Sequence, residues 1–340
     1  MTAAQRERYS RQTTFAPIGV AGQESLLRSR VAIIGCGALG SFQAAALARA
    51  GVGRLRLIDR DYIEWNNLQR QWLFEEADAE AGLPKAVAAA RRLSAINSGV
   101  TIEPEVADLT AANADELLGA SDLLLDGTDN FETRYLINDY SVARGIPWIY
   151  GAAVGSYGLM MPVAPGVTGC LKCMYPEPPS APQETCETAG VVNTVTAVIA
   201  ALQASEAIKI LTGGEPSTLE LLTTVDVWAM NIRQVRRPPA DPDCPACGHR
   251  QFPHLEGATR APISLCGRNA VQIHERNRPL DLGQLRERLA ELGEVRANEF
   301  ALRFHYAPYQ MTIFADGRAI IKGTIDMGIA RSLYARFVGI

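Results

Sequence analysis

Short, largely apolar runs alternate along the chain with longer alanine-rich or amphipathic stretches, the pattern of parallel strands buried on both faces and joined by helices. Residues 30–34 form one such run, and helical composition over 41–50 follows a glycine-rich turn. Further strands are predicted over 54–58, ending at Asp59, and over 122–125, running into Asp126-Gly127-Thr128-Asp129-Asn130 ahead of a helix over 132–144. A strand over 148–150 comes next. This order predicts an α/β fold with a doubly wound, mainly parallel sheet whose ligand lies outside the carboxyl ends of the strands. From Gly155 the pattern breaks into shorter β-like pieces, then a proline-rich segment over 175–182, Cys186 and a helix over 191–211. Residues 251–262 read as a linker. Beyond it, strands over 270–274, 301–306, 310–314 and 318–322, a helix over 282–292 and a closing helix predict a small α+β module, with Asp316-Gly317 as the last hairpin turn. Two domains are expected, 1–255 and 262–340.

The turn Gly35-Cys36-Gly37-Ala38-Leu39-Gly40 lies between a predicted strand and helix, the context in which backbone amides and a helix N-terminus take the pyrophosphate of NAD, FAD or ATP. Asp59 stands where a carboxylate grips a ribose hydroxyl, which suits NAD and ATP alike. Asn66-Asn67-Leu68-Gln69-Arg70-Gln71 and Lys85 then add amides and two cations that could hold a triphosphate, with Asp129 placed to hold magnesium. Taken singly, Arg70 and Lys85 read as a solvated helix face. An NAD-dependent oxidoreductase rests on the turn and Asp59 alone, since hydride transfer needs no Arg70, Lys85 and Asp129 set.

Two CxxC pairs, Cys170/Cys173 and Cys244/Cys247, supply the four thiolates of a closed tetrahedral zinc site, which is structural because no position is left for water. Seven cysteines in a 340-residue chain suit metal binding in a reducing compartment better than a disulfide framework. The net charge of −4 offers no basic stripe for nucleic acid. The longest apolar runs are interrupted and too short for a membrane, and the first eleven residues are charged with no apolar signal region, which together point to the cytoplasm.

Arg8-Tyr9-Ser10-Arg11-Gln12, the glycine turn, Asp59, the 66–71 motif, Lys85, Thr128-Asp129-Asn130, both CxxC pairs and Cys186-Glu187-Thr188-Ala189-Gly190 occur in the order of the ThiF/MoeB/HesA adenylyltransferases. The chain resembles these bacterial relatives of the ubiquitin-activating enzymes over about residues 5–250. The resemblance implies a Rossmann-like fold, use of ATP and Mg2+, and conversion of the Gly-Gly carboxylate of a ubiquitin-like sulfur-carrier protein to an acyl adenylate with release of pyrophosphate. It implies that Gly35, Gly37 and Gly40 form the nucleotide turn, that Asp59 holds the ribose, that Asn67, Arg70 and Lys85 face the phosphates, and that Asp129, with Asn130 beside it, binds magnesium. Arg11 matches a finger that enters the partner's ATP site, so a homodimer is implied. Ala38 stands where some members have glycine.

Cys186 resembles the loop cysteine that in some members accepts the activated carrier or joins a sulfur relay; the bland alternative is a small buried side chain. Cys36 and Cys266 read as structural, and His249 and His254 as packing or solvated side chains. The C-terminal module lacks a rhodanese-like active-site loop, so sulfur would come from a cysteine desulfurase or another donor. A short tail beginning near Cys266-Gly267-Arg268 resembles the thiamine-pathway members. The molybdopterin carrier is the runner-up, followed by carriers for tRNA thiolation or cysteine synthesis. A non-catalytic scaffold that binds a ubiquitin-like protein is the third class.

Overall fold

The computed structural model describes every residue except 178–187, 214–218, 258–263, 266–269, 275–279, 316 and 340. Cys186, Cys266 and Asp316, all singled out from the sequence, lie outside the described residues. The chain divides into two compact units, Met1–Thr259 and Arg260–Ile340.

Unit 1 opens with three helices, α1 (Ala3–Arg8), α2 (Ser10–Thr14) and α3 (Gly19–Arg28). Its α/β body follows as β1 (Arg30–Ile34), α4 (Ala38–Ala50), β2 (Arg54–Ile58), a 3-10 turn at Trp65–Asn67, α5 (Glu76–Glu80), α6 (Lys85–Ile96) and β3 (Thr101–Glu105). Then come α7 (Ala114–Leu118), β4 (Leu123–Asp126), α8 (Phe131–Arg144), β5 (Trp148–Val154), β6 (Tyr157–Val163), α9 (Leu171–Met174), α10 (Asn193–Leu211), β7 (Leu221–Asp226) and β8 (Asn231–Arg236). All eight strands share one sheet in the order β3-β2-β1-β4-β5-β6-β7-β8. The first five run parallel and the last three antiparallel, so the β-like pieces of the sequence extend the parallel sheet instead of forming one of their own. Strand order reverses between β1 and β4, which opens a crevice at their carboxyl ends.

Apolar side chains fill both faces at the centre of this sheet, which is why strands such as β1 and β4 read as largely unbroken apolar runs. One core gathers Leu47, Leu55, Leu57 and Ile199 under α4, α6 and α10, and the other gathers Ile137, Tyr140 and Trp148 under α7 and α8. Helix α10 is long and apolar enough to cross a membrane by composition, but it packs along α4, β5 and β6 in the first core. Residues 251–257 correct the linker reading: Phe252 and Leu255 pack on the second core, and the His254 ring stacks on Tyr135 at 5.1 Å.

Unit 2 contains β9 (Ser264–Leu265), β10 (Ala270–His274), α11 (Leu282–Ala290), β11 (Glu294–Ala297), β12 (Ala301–Tyr306), β13 (Tyr309–Phe314), β14 (Arg318–Lys322) and α12 (Met327–Phe337). Its strands form an antiparallel sheet in the order β11-β12-β13-β14-β10-β9. Leu302, Phe304, Ile313 and Ile321 bury one face against Leu285, Leu289, Leu333 and Phe337 of the two helices. Asp281 and Asp326 cap those helices, each accepting two backbone N–H bonds.

In unit 1 the approach of α4 to the strand ends is limited by backbone alone. Gly35 has φ +90°, and a Cβ there would lie 2.6 Å from the Gly127 carbonyl oxygen, while a Cβ on Gly40 would run into the Gly35 carbonyl. At Gly37 the nearest atom to a Cβ is 3.9 Å away. Gly40→Ala is therefore expected to cost about 1–3 kcal/mol through overpacking, and Gly37→Ala to stay within about 0.5 kcal/mol of the parent. Urea unfolding curves of the two variants check this, and equal midpoints would refute the close-contact account.

Candidate active site and cysteine cluster

The turn carries its ligand-facing amides into the crevice because β1 ends at Ile34 and α4 starts at Ala38, with Gly37 as the N-terminal flanking residue. Asp59, at the end of β2, pins the turn from the side. Its Oδ2 accepts the Cys36 N–H at 2.6 Å and its Oδ1 accepts the Asp61 N–H at 2.7 Å. Burial pushes the Asp59 carboxyl up, and the Lys85 ammonium opposes that shift. Lys85, the first residue of α6, is 5% exposed and pairs with Asp61 Oδ2 at 3.1 Å. Asp61 was not singled out from the sequence, although the Asp59-x-Asp61 spacing was legible. Burial, and secondarily the Asp59 charge, push the Cys36 thiol well up, so this cysteine is a protonated packing group and not a nucleophile.

Residues 66–71 lie beside this cluster. Asn67 caps its own turn: Oδ1 accepts the Glu64 N–H at 3.1 Å and Nδ2 donates to Asn66 Oδ1 at 2.9 Å. The Arg70 guanidinium donates to the Asn66 carbonyl at 2.7 Å, which folds it back over the loop. Beyond β4, Asp129 and Asn130 are exposed, and Asn130 Oδ1 caps α8 by accepting the Thr133 N–H at 2.9 Å. Its side chain thus already has a structural use. Arg11, on α2, is exposed and makes no side-chain hydrogen bond or ion pair among the described residues.

Arg134 was missed by sequence reasoning. It is buried, donates to Asp126 Oδ2 at 3.0 Å and to the carbonyls of Thr128 and Gly151, and lies over the Phe131 and Tyr150 rings. Asp126 in turn accepts the Thr128 N–H and hydroxyl. The pair fixes the loop that carries Asp129 to the strand ends. Its only sequence trace was an arginine eight residues after a strand-end acid.

Comparison with known proteins decides the class of this crevice. The ThiF family profile matches residues 9–246. The chain belongs to the ThiF family. It is 45% identical over 337 residues to the sulfur carrier protein ThiS adenylyltransferase of Bacillus subtilis, covering 98% of this chain and 99% of that one. It is 36% identical to the SAMP-activating enzyme E1 of Haloferax volcanii, covering 75% of this chain and 94% of the other. Among solved structures, Escherichia coli MccB with ATP superimposes with a TM-score of 0.62 at 26% identity, covering 71% of this chain and 74% of MccB. As a ThiF-family enzyme the chain is an ATP-binding adenylyltransferase, and its doubly wound sheet matches the fold expected from the sequence.

In this ThiF-family chain the two CxxC pairs meet as the sequence anticipated. Sγ atoms of Cys170 and Cys244 are 3.6 Å apart, those of Cys173 and Cys247 3.3 Å, and all four lie within 4.8 Å of one another. A tetrahedron of Zn–S bonds has edges of about 3.8 Å, so the donor set fits zinc, whereas a disulfide would need about 2 Å. Helix α8 holds the first pair in place: Asn138 Oδ1 accepts the Leu171 N–H at 2.8 Å, and Asp139 pairs with buried Lys172 at 2.8 Å. Hydrogen bonding from Cys170 pulls the Cys173 thiol down to about 4, and burial pushes Cys247 up to about 12. Four thiols this close cannot all ionise without a cation, and a divalent ion removes that conflict. Buried Arg237 donates to the Gly169 carbonyl at 3.0 Å and offsets the surplus negative charge of a four-thiolate site. His249 and His254 stay outside the cluster. Metal analysis is expected to find one zinc per chain, and stripping it should lower the thermal midpoint by several degrees. A metal-free chain of unchanged midpoint would contradict the assignment.

Proposed function

We propose that this enzyme adenylates the C-terminal Gly-Gly carboxylate of a ThiS-like, ubiquitin-like sulfur carrier for thiazole synthesis. The observation that carries the reading is the meeting of the glycine turn, Asp59 and Lys85 at the strand-order reversal in a ThiF-family chain. The near full-length likeness to the Bacillus subtilis protein named for ThiS favours that carrier over the molybdopterin type.

In this reading the triphosphate lies on the turn at Gly35, Gly37 and Gly40, the ribose hydroxyls reach Asp59, and Asn67, Arg70 and Lys85 face the phosphates. The carrier carboxylate attacks the α-phosphorus, the bond to the bridging oxygen breaks, and pyrophosphate leaves. Two fixed cations stabilise the charge that builds on the phosphoryl oxygens, which is where such a site contributes most. Lys85 shares its ammonium between Asp61 and the phosphates, so Asp61 orients it. Asp129, exposed beside Asn130, would supply a carboxylate for Mg2+, which would neutralise charge on the triphosphate. Arg11, exposed on α2, reaches the site of a second copy in a homodimer. Cys186 acts after adenylation: its thiol attacks the carrier's acyl carbon and AMP leaves, giving a thioester, a step separable from adenylation itself. Sulfur comes from a cysteine desulfurase or another donor, and the enzyme works in the cytoplasm. The domains are 1–255 for adenylation and 262–340 for a module that helps docking or dimerisation.

Intact-mass analysis of ThiS-type and molybdopterin-type carriers incubated with the enzyme, Mg2+ and ATP tests the reading. An AMP-sized gain is expected on the ThiS-type carrier. Arg70→Ala should lower the rate of adenylate formation by roughly 10²–10³-fold with the carrier still bound. A gain on the molybdopterin carrier alone would transfer the enzyme to that pathway, and undiminished turnover in Arg70→Ala would remove the arginine from the site.

A further inference from the structure

Of the Arg8-Tyr9-Ser10-Arg11-Gln12 motif, the reaction as described uses Arg11 alone. The residues around it are tied to the body of unit 1. Tyr9 is 3% exposed, and its hydroxyl accepts from Asn97 Nδ2 at 2.9 Å. Its ring lies so close over Gly51 that a Cβ there would be 2.5 Å from Tyr9 Cζ. Gln12 Nε2 donates to the Ala50 carbonyl at 2.9 Å and to Gln23 Oε1 at 2.6 Å, and Gln23 Nε2 donates to the same carbonyl at 3.0 Å. The Arg8 guanidinium donates to the Ile96 carbonyl at 3.2 Å. Arg11 stands exposed between these anchors.

Helix α2 is five residues long, too short to keep its shape or direction by its own hydrogen bonds, so its flanks must fix it. Tyr9, the residue before it, and Gln12 are three apart and share a side, whereas Arg11, two after Tyr9, is turned away from them. What they grip is the far end of two helices. Helix α4 ends at Ala50 and α6 at Ile96, and these are the helices that begin beside the glycine turn and at Lys85. Their 13 and 12 residues span about 20 and 18 Å, well beyond the reach of an arginine side chain. Arg11 is thus held away from the crevice of its own chain, and only the crevice of another chain is open to it.

We infer that Tyr9 and Gln12 are positioning residues for Arg11: they pin α2 to the ends of α4 and α6, so that the guanidinium is presented outward at a fixed place to the ATP site of a second copy. The inference rests on the role proposed above for Arg11 in a homodimer. Neither residue touches substrate; both act through the arginine. Ordering a loose segment at the moment of reaction costs conformational entropy, and a segment already pinned avoids that cost. The same two helices also carry the chain's own glycine turn and Lys85, so one rigid frame sets both the site a chain owns and the arginine it lends.

Mixed dimers separate a role through Arg11 from a purely structural one. Full-length chains with two different tags are co-expressed, the mixed dimers are purified, and adenylate formation on the ThiS-type carrier is measured. Tyr9→Ala and Gln12→Ala homodimers are expected to lose rate roughly tenfold or more, the scale of a misplaced group at a reacting centre. Paired with a Lys85→Ala chain, whose own site is disabled but whose Arg11 is intact, each should regain about half the parent rate, because the variant's site then receives a properly held arginine from its partner. Arg11→Ala should behave in the same way. A mixed dimer that stays as slow as the Tyr9→Ala homodimer overturns the inference, since that damage is confined to the variant's own fold. Parent-like rates in Tyr9→Ala and Gln12→Ala beside a slowed Arg11→Ala overturn it as well. Parent-like turnover in Arg11→Ala, or a monomeric chain, overturns the reading of Arg11 itself, and this inference with it.

Discussion

Everything at the reactive end of unit 1 depends on the contact between two backbone turns, one following β1 and one following β4. Gly35 and Gly127 meet backbone to backbone, and Gly40 brings the first turn of α4 onto the Gly35 carbonyl. No side chain fits between them. This approach places the start of α4 against the end of β4, and so sets the distance between the helix N-terminus and the loop carrying Asp129. Were either turn to move outward by the width of a methyl group, the helix N-terminus and Asp129 would separate by as much.

Helix α8 carries that constraint to the cysteine cluster. At its start Asn130 caps the helix and Arg134 locks the Asp126–Thr128 loop, and one to two turns later Asn138 and Asp139 hold Leu171 and Lys172 between the first two cysteines. One helix thus takes polar contacts from the nucleotide end on its first turns and from the metal end on its next. The interactions are buried ion pairs and amide bonds, whose net contribution to stability is modest, but whose disruption leaves uncompensated charge. They define geometry more than they add free energy. The cysteine end is accordingly a support for the strand ends, and a zinc held by its four thiolates would have no open coordination position for chemistry.

The parallel strands were legible because burial on both faces makes them unbroken apolar runs, as in Val31 to Ile34 and Leu123 to Leu125. Strand β3 was not, since its TIEPE sequence contains a proline and two glutamates; it is an edge strand, where Glu103 pairs with Arg54 and Arg56 of β2. The antiparallel strands β6 to β8 read only as fragments because β8 is largely exposed and carries a mixed pattern. Helix starts slipped by one to three residues, at Ala38 and Phe131, where the cap and not the apolar period fixes the boundary. The cysteine cluster was fully legible, since CxxC spacing is a property of the chemistry and not of the fold. Arg134 and Arg237 were not, because each acts through a partner that is distant or unremarkable in sequence and only burial reveals the pairing.

The residues of the crevice fall into two groups by what already occupies them. Asp59, Asn67, Asn130 and Lys85 each have a protein partner, to the Cys36 amide, the Glu64 amide, the Thr133 amide and Asp61 respectively. Among the described residues, nothing lies closer than 3.9 Å to a Cβ on Gly37, and Gln71 Oε1 has no hydrogen-bond partner. The first group would be retained by folding alone, so their presence says little about a ligand until the whole set is seen together. At Gly37 a side chain would fit without collision, so packing alone does not demand a glycine there. An open glycine at the N-terminus of a thirteen-residue helix leaves room there for an anion, which the helix end favours.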